Sequence, residues 1–319
     1  MLANKVYFKF SNWYLPFFMS DITQILTPHV KDLGGFNARR SLPHEEVMTV
    51  GPFIFFDHLG PAVFAPGKGV DVRPHPHINL ATVTYLFEGA LLHRDSLGSV
   101  REIYPGAVNW MSAGRGIVHS ERSPQSDRDI ESTLHAIQIW VALPEEDEET
   151  EPWFRHYPAE DIPTWTENGV TITLIAGSAW GHTSPVETSS KIIYLDLLFA
   201  PDSKLILPVD RDSERAIYSV TEGLSVGGIE LQQHRLALLS SDREVEISAN
   251  TSARCMLIGG ESLGKRYKWW NFVSSSQKRI ERAKRDWQNQ NFPQVPEETE
   301  FIPLPDESDL EQGNKRPVL

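Results

Sequence analysis

Two pairs of side chains stand out for the chemistry that their types and spacing allow. His75 and His77 are one residue apart in Arg73-Pro-His-Pro-His77, and His119 and Glu121 are one residue apart in Gly114-Arg-Gly-Ile-Val-His-Ser-Glu121. Successive side chains on a strand alternate between faces, so residues two apart point the same way. Each pair therefore offers two ligand groups to one side of a strand, and together they offer three imidazoles and one carboxylate. Such a set suits a divalent transition metal, because imidazole binds it in the neutral form and carboxylate in the ionised form at neutral pH. Iron(II) is the expected ion, with another divalent transition metal as the alternative. Four protein ligands leave about two positions open on an octahedral ion, for dioxygen or a bidentate substrate. Zinc prefers a tetrahedral set, which these four would already close.

A single His-x-His in a β-protein is more often structural than functional. The second same-face pair some forty residues on is what turns the reading to a metal site. The remaining histidines carry less. His29, His44, His135, His156, His182 and His234 stand alone and read as surface or hydrogen-bonded side chains without a role. His58 and His93 lie near Asp57 and Asp95 and near the ligand-bearing segments, so they are candidates for orienting a ligand or lining a pocket. Tyr85, Phe87 and Trp110 read as core side chains rather than a platform for substrate.

The elements that must position these groups are short β-type runs at 47–56, 80–87, 107–111 and 134–143, separated by turn-forming stretches such as Pro66-Gly67-Lys68-Gly69 and Pro105-Gly106. Many short strands with regular turns predict an all-β sandwich or barrel. An acidic run bracketed by Pro144 and Pro152 cannot bury itself and is expected on the surface between folded units. Strand-like runs resume from 170 to 258, giving a second β-unit of similar size. From 274 to 290 the spacing of Ile280, Ala283 and Trp287 predicts a helix, with Ser274 and Gln277 placed as a capping box and Pro293 barring its continuation. The expected division is an N-terminal extension over 1–20, a metal-binding barrel over 21–143, an acidic linker over 144–165, a second barrel without metal over 166–262, and a C-terminal helix and tail over 263–319.

A length of 319 residues fits two domains, each with its own core. A formal net charge of -13 disfavours direct binding to nucleic acid, since like charge repels the phosphate backbone. The basic residues of the C-terminal helix (Lys278, Arg279, Arg282, Lys284, Arg285) read as its solvated face. The single cysteine, Cys255, excludes an intramolecular disulfide and a thiolate-rich metal site, and fits the cytoplasm. The aromatic N-terminus is broken by Asn12 and Pro16, with neither a cleavage pattern nor the ~18 apolar residues of a membrane span, so it reads as an extension upstream of Met19.

Several separated segments resemble the pirin family of the cupin superfamily. Asp32-Leu-Gly-Gly-Phe36, Arg39-Arg-Ser-Leu-Pro43, Gly51-Pro-Phe53 and Phe56-Asp-His58 look like the family's opening. Arg73-Pro-His-Pro-His77 with Thr82-Val-Thr-Tyr85 looks like its first metal motif, and His93-Arg-Asp-Ser-Leu-Gly98, Pro105-Gly106 and Met111 to Glu121 look like its second. Trp269-Trp-Asn-Phe-Val-Ser-Ser-Ser276 and the helix after it resemble a bacterial branch. The resemblance implies two tandem cupin barrels (double-stranded β-helix, jelly-roll), a metal in the first held by His75, His77, His119 and Glu121, and a C-terminal helix packed back on the barrels. Where a typical cupin carries a ligand glutamate this chain has Thr82, and where it carries a ligand histidine it has Asn109. Two roles follow from the resemblance. One is a dioxygenase like quercetin 2,3-dioxygenase, acting on a small aromatic substrate with Glu121 as the catalytic proton acceptor. The other is a non-enzymatic, metal-dependent regulator that docks on a transcription factor or metabolic enzyme. A monomer is expected in either case.

Overall fold

A computed structural model of the chain describes residues 20–33 and 35–306. The extension expected over 1–20 therefore lies, apart from Ser20, outside the described residues. Two antiparallel β-barrels, each built from a large and a small sheet, make up most of the structure. In the first, a seven-stranded sheet runs in the order Trp153–Tyr157, Val108–Ser112, Leu80–Glu88, Ser132–Ala142, Phe53–Phe64, Asn37–Leu42, His29–Asp32. Facing it is a four-stranded sheet, Asp71–His77, Ile117–Arg122, Leu91–Asp95, Val100–Ile103. The second barrel pairs an eight-stranded sheet, centred on Ala253–Gly260, Ile192–Phe199 and Val170–Ala179, with a four-stranded one that contains Ser203–Leu207 and Val245–Ala249.

The large sheets pack face to face, and strand alternation explains how each serves two cores. Along Leu80–Glu88, Ala81, Val83 and Tyr85 enter the core shared with Ile175, Tyr194, Tyr218 and Met256 of the second barrel. Thr82 and Thr84, on the other face, point into the first barrel. Tyr85 and Trp110, each 2% exposed, are core side chains of this junction, as the sequence suggested.

The boundaries differ from those expected. The strand Ile22–Leu26, assigned by position to the first barrel (21–143), pairs with Leu236–Leu239 and so belongs to the large sheet of the second. Trp153–Tyr157, placed in the linker (144–165), pairs with Val108–Ser112 and completes the first. Pairing between distant strands is set by tertiary packing, which local composition does not report. The expected strand over 47–56 begins only at Phe53, because Gly51 adopts φ +53° and its N–H bonds Glu214 at 2.6 Å. The acidic run is not uniformly on the surface either. Glu148 is 5% exposed: it pairs with Arg266 at 3.2 Å and accepts hydrogen bonds from Ser274 Oγ (2.9 Å) and the Ser275 N–H (2.7 Å).

That anchor ties down the C-terminal segment. The helix spans Gln277–Gln288, and Ile280, Ala283 and Trp287 pack on Ile78 and Val118 of the first barrel together with Phe272. Its N-cap is Ser276 and makes no side-chain cap bond, while the hydroxyl of Ser274 is engaged by Glu148, so the predicted capping box does not form. No helix among the described residues is long and apolar enough to cross a membrane.

Candidate metal centre

The strands Asp71–His77 and Ile117–Arg122 are antiparallel neighbours in the small sheet of the first barrel, with His119 directly opposite His75 and Ile117 opposite His77. This register brings the two sequence motifs together. One ring nitrogen each from His75, His77 and His119 lies within 4.8 Å of the others, and all three side chains are buried. The turn before the second strand depends on Gly114, at φ +46°, where a Cβ would run into the carbonyl of Thr150.

Among the described residues, both ring nitrogens of His119 are buried without a hydrogen-bond partner, and those of His77 make no hydrogen bond of good geometry, although the Asn271 backbone lies near enough to act on that ring. Buried polar groups are nearly always satisfied, and the exceptions mark strain or a missing ion. His75 completes the picture: its Nδ1–H donates to the Arg73 carbonyl at 2.9 Å, which fixes the tautomer and leaves Nε2 as a free lone pair. Burial lowers the pKa of His75 to about 4 and drives His77 and His119 well below the ordinary range, with neighbouring imidazoles adding to the effect. Three neutral imidazoles with lone pairs converging on one point are the donor set that a divalent transition metal needs, so the residues present fit the ion.

Glu121 faces the same interior but stands outside the group of mutually close ligand atoms. The register slips by one residue between His119 and Glu121, at Arg73-Pro74, so that Glu121 lies opposite Val72. Its Oε1 accepts from Thr84 Oγ1 at 3.1 Å, and burial raises its pKa. Thr84 Oγ1 is also 2.9 Å from Gln138 Oε1. One hydroxyl proton cannot serve both acceptors, so turning the Gln138 amide to present its NH2 satisfies the chain Gln138, Thr84, Glu121 in one direction.

Of the two candidates His58 and His93, His93 lies beside the cluster. It stacks on Phe154 at 4.1 Å, its ring is 5.4 Å from that of His119, and its Nε2 is 3.0 Å from Asp95 Oδ2. Burial opposes ionisation of Asp95, yet His93 and the Ser99 N–H together hold its pKa below the ordinary value. Trp140 closes another side, 5.0 Å from the His77 ring. Thr82 is buried on the facing strand, and Asn109 Oδ1 is taken by His156 at 2.7 Å. Neither belongs to the histidine group.

Sequence reasoning missed a second histidine network. His58 is not at the metal centre. It lies at the junction of the barrels in contact with His135, Tyr218 and His234, two of which read as isolated histidines because no sequence period links residues 58, 135 and 234. His29, His44 and Glu45 also approach one another, on the surface.

Comparison with known proteins agrees with this architecture. Residues 35–141 match the pirin family and residues 194–293 the pirin C-terminal cupin domain. A pirin-like protein of Caulobacter vibrioides is 45% identical over 282 residues, 86% of this chain and 96% of its own. A Pseudomonas aeruginosa protein named as a candidate quercetin 2,3-dioxygenase is 41% identical over 257 residues, 80% of each chain. The crystal structure of a quercetin 2,3-dioxygenase from Acinetobacter baumannii superposes with a TM-score of 0.85 at 33% identity, covering 93% of this chain and 98% of its own.

Proposed function

This chain belongs to the pirin family, and from that premise we propose that it is a metal-dependent dioxygenase acting on a flavonol-like, quercetin-type aromatic substrate, with iron(II) held by His75, His77, His119 and Glu121. The observation that carries this reading is the meeting of three buried imidazoles, His75, His77 and His119, with both ring nitrogens of His119 left without a hydrogen-bond partner among the described residues. The likeness to proteins named as quercetin dioxygenases supports the substrate class. Iron(II), when bound, supplies Lewis acidity and redox chemistry with dioxygen.

The chain's own residues then have distinct tasks. A flavonol presents adjacent hydroxyl and carbonyl oxygens, and its hydroxyl must lose a proton before the ring is electron-rich enough to react with oxygen. Glu121 takes that proton. Its burial makes it a stronger base than an exposed carboxylate, and Thr84 Oγ1 holds its Oε1 at 3.1 Å. The neutral imidazoles of His75, His77 and His119 leave the proton to the one carboxylate of the set. His93, stacked on Phe154 and tied to Asp95, walls the site on the side of His119.

The test is oxygen uptake by protein loaded with iron(II) under anaerobic conditions and then mixed with quercetin. Quercetin should bleach as oxygen is consumed, and Glu121→Gln should keep much of its metal while losing most turnover. Oxygen consumption no greater than that of free iron would end the dioxygenase reading for this substrate and leave the protein-docking role as the stronger one.

A further inference from the structure

A cavity of about 660 Å³ opens at one end of the second barrel, lined entirely by residues of that barrel and by none of the histidine centre. Its walls are mostly apolar: Ile192, Ile193, Leu207 and Leu257, with Trp180 and Val209 at the lip. A volume in this range suits a small organic ligand. Among the polar residues that line it, Arg215 is a cation and only 5% exposed. Its Nη1 donates to the Pro208 carbonyl at 2.6 Å and its Nη2 to the Ser240 carbonyl at 3.1 Å, while Nε is buried without an acceptor.

Other buried or partly buried arginines set the contrast. Arg40 pairs with Asp57 at 2.8 Å, Arg254 with Asp196 at 2.5 Å and Arg266 with Glu148 at 3.2 Å. Arg215 makes no such pair among the described residues, and Asp210, on the cavity rim, acts on it only through space. A buried guanidinium held in place by neutral carbonyls has no counter-ion in contact, which is costly unless an anion is present part of the time. Lys191, also at the cavity, is already paired with Glu261 at 3.4 Å, so Arg215 is the cation left for a ligand. A largely apolar hollow with one fixed cation in its wall that makes no ion pair is complementary to a molecule with an apolar body and a single negative head.

We propose that the second barrel binds an amphipathic monocarboxylate in this cavity, with the carboxylate beside Arg215 and the hydrocarbon body against Ile193, Leu207 and Leu257. This site is separate from the histidine centre and does not depend on the reaction proposed there.

Octanoate, with octanol as its neutral counterpart, tests this by calorimetric titration of the full-length, metal-loaded protein. Octanoate should bind once per chain and at least about tenfold more tightly than octanol. His119→Ala should leave that binding unchanged, which separates the cavity from capture of a carboxylate by the metal centre. Arg215→Met should weaken octanoate about tenfold or more and bring it level with octanol. Because Arg215 also holds two carbonyls, Val209→Asp is the second variant: Val209 is 44% exposed at the lip, where a new negative charge repels the ligand without disturbing the core. The proposal is overturned by the absence of millimolar binding, by equal affinities for octanoate and octanol, by loss of binding in His119→Ala, or by a folded Val209→Asp that binds as the wild type does.

Discussion

His58 and His135 meet across adjacent strands with their Nε2 atoms 2.6 Å apart, so one ring must carry a proton there while the other presents a lone pair. On its far side His58 Nδ1 is 2.9 Å from Tyr218 Oη, which is 3.4 Å from His234 Nδ1. The chain of contacts thus runs from the first barrel into the second. Burial is the main force on all three rings, and it lowers His58 to about 2, His135 to about 4 and His234 to about 4; nearby cations, Arg39 among them, push the same way.

These shifts make the junction acid-sensitive. In the unfolded chain each imidazole titrates near 6.5, whereas in the folded chain the rings stay neutral to a much lower pH. As pH falls from 6.5 towards 4 the unfolded state takes up protons that the folded state does not, so stability is full above that window and is lost through it. Thermal denaturation should therefore show Tm falling between about pH 7 and about pH 5, and His135→Phe should flatten the fall. A Tm that is level over that range would show that the rings do not act as described.

A second tie across the junction reaches from Tyr85 and Phe87 of the first barrel to an ion pair within the second. Asp196 accepts from Arg254 Nε at 2.8 Å and from Tyr85 Oη at 2.9 Å, and the guanidinium of Arg254 lies over the Phe87 ring at 4.1 Å. Removing only the acid leaves a largely buried cation without its partner, so Asp196→Ala should cost about 3 kcal/mol. Tyr85→Phe removes one neutral donor and should cost about 1 kcal/mol. Urea denaturation measures both, and equal effects would contradict this ranking.

At the histidine centre, replacing His77 or His119 by Ala should lower metal affinity by several kcal/mol with little change in fold, because each contributes a ligand that the others cannot replace. Metal analysis of wild-type protein after gel filtration should give about one ion per chain. A second ion that survives His75→Ala would move attention to His29, His44 and Glu45 on the surface.

The parts of this architecture legible in the sequence are those encoded within one strand or one helix. The alternation of His75 with His77 and of His119 with Glu121 named the candidate ligands, and the spacing of Ile280, Ala283 and Trp287 gave the buried stripe of the helix. What stayed hidden depends on which strands become neighbours. Ile22–Leu26 crosses into the second barrel through pairing with residues more than two hundred positions away, and no local signal marks that choice. Glu148 looked like one of several acids in a solvated run, and only its distant partners Arg266, Ser274 and Ser275 set it apart. The slip in register at Arg73-Pro74 moves Glu121 relative to the imidazoles, a detail that an ideal strand does not foresee.

The C-terminal segment offers the last prediction. Ile78, fully buried next to the ligand strand, is covered by Phe272 and by the helix face that carries Ile280 and Trp287, and Trp287 Nε1–H bonds the Ile302 carbonyl at 3.0 Å. The same segment reaches the metal centre. Lys268 Nζ sits 5.2 Å from the Trp140 ring, which in turn stacks on Phe55 and meets His77 edge-on at 5.0 Å. Truncation after Ser262 should therefore expose an apolar patch over Ile78 and Val118, raise binding of a hydrophobic dye, reduce solubility and loosen the metal. Because truncation removes many contacts at once, Trp287→Ala is the sharper variant and should cost about 3–5 kcal/mol through the cavity it leaves. A truncated chain that stays soluble, melts at the wild-type temperature and keeps its metal would show that the segment is an independent tail.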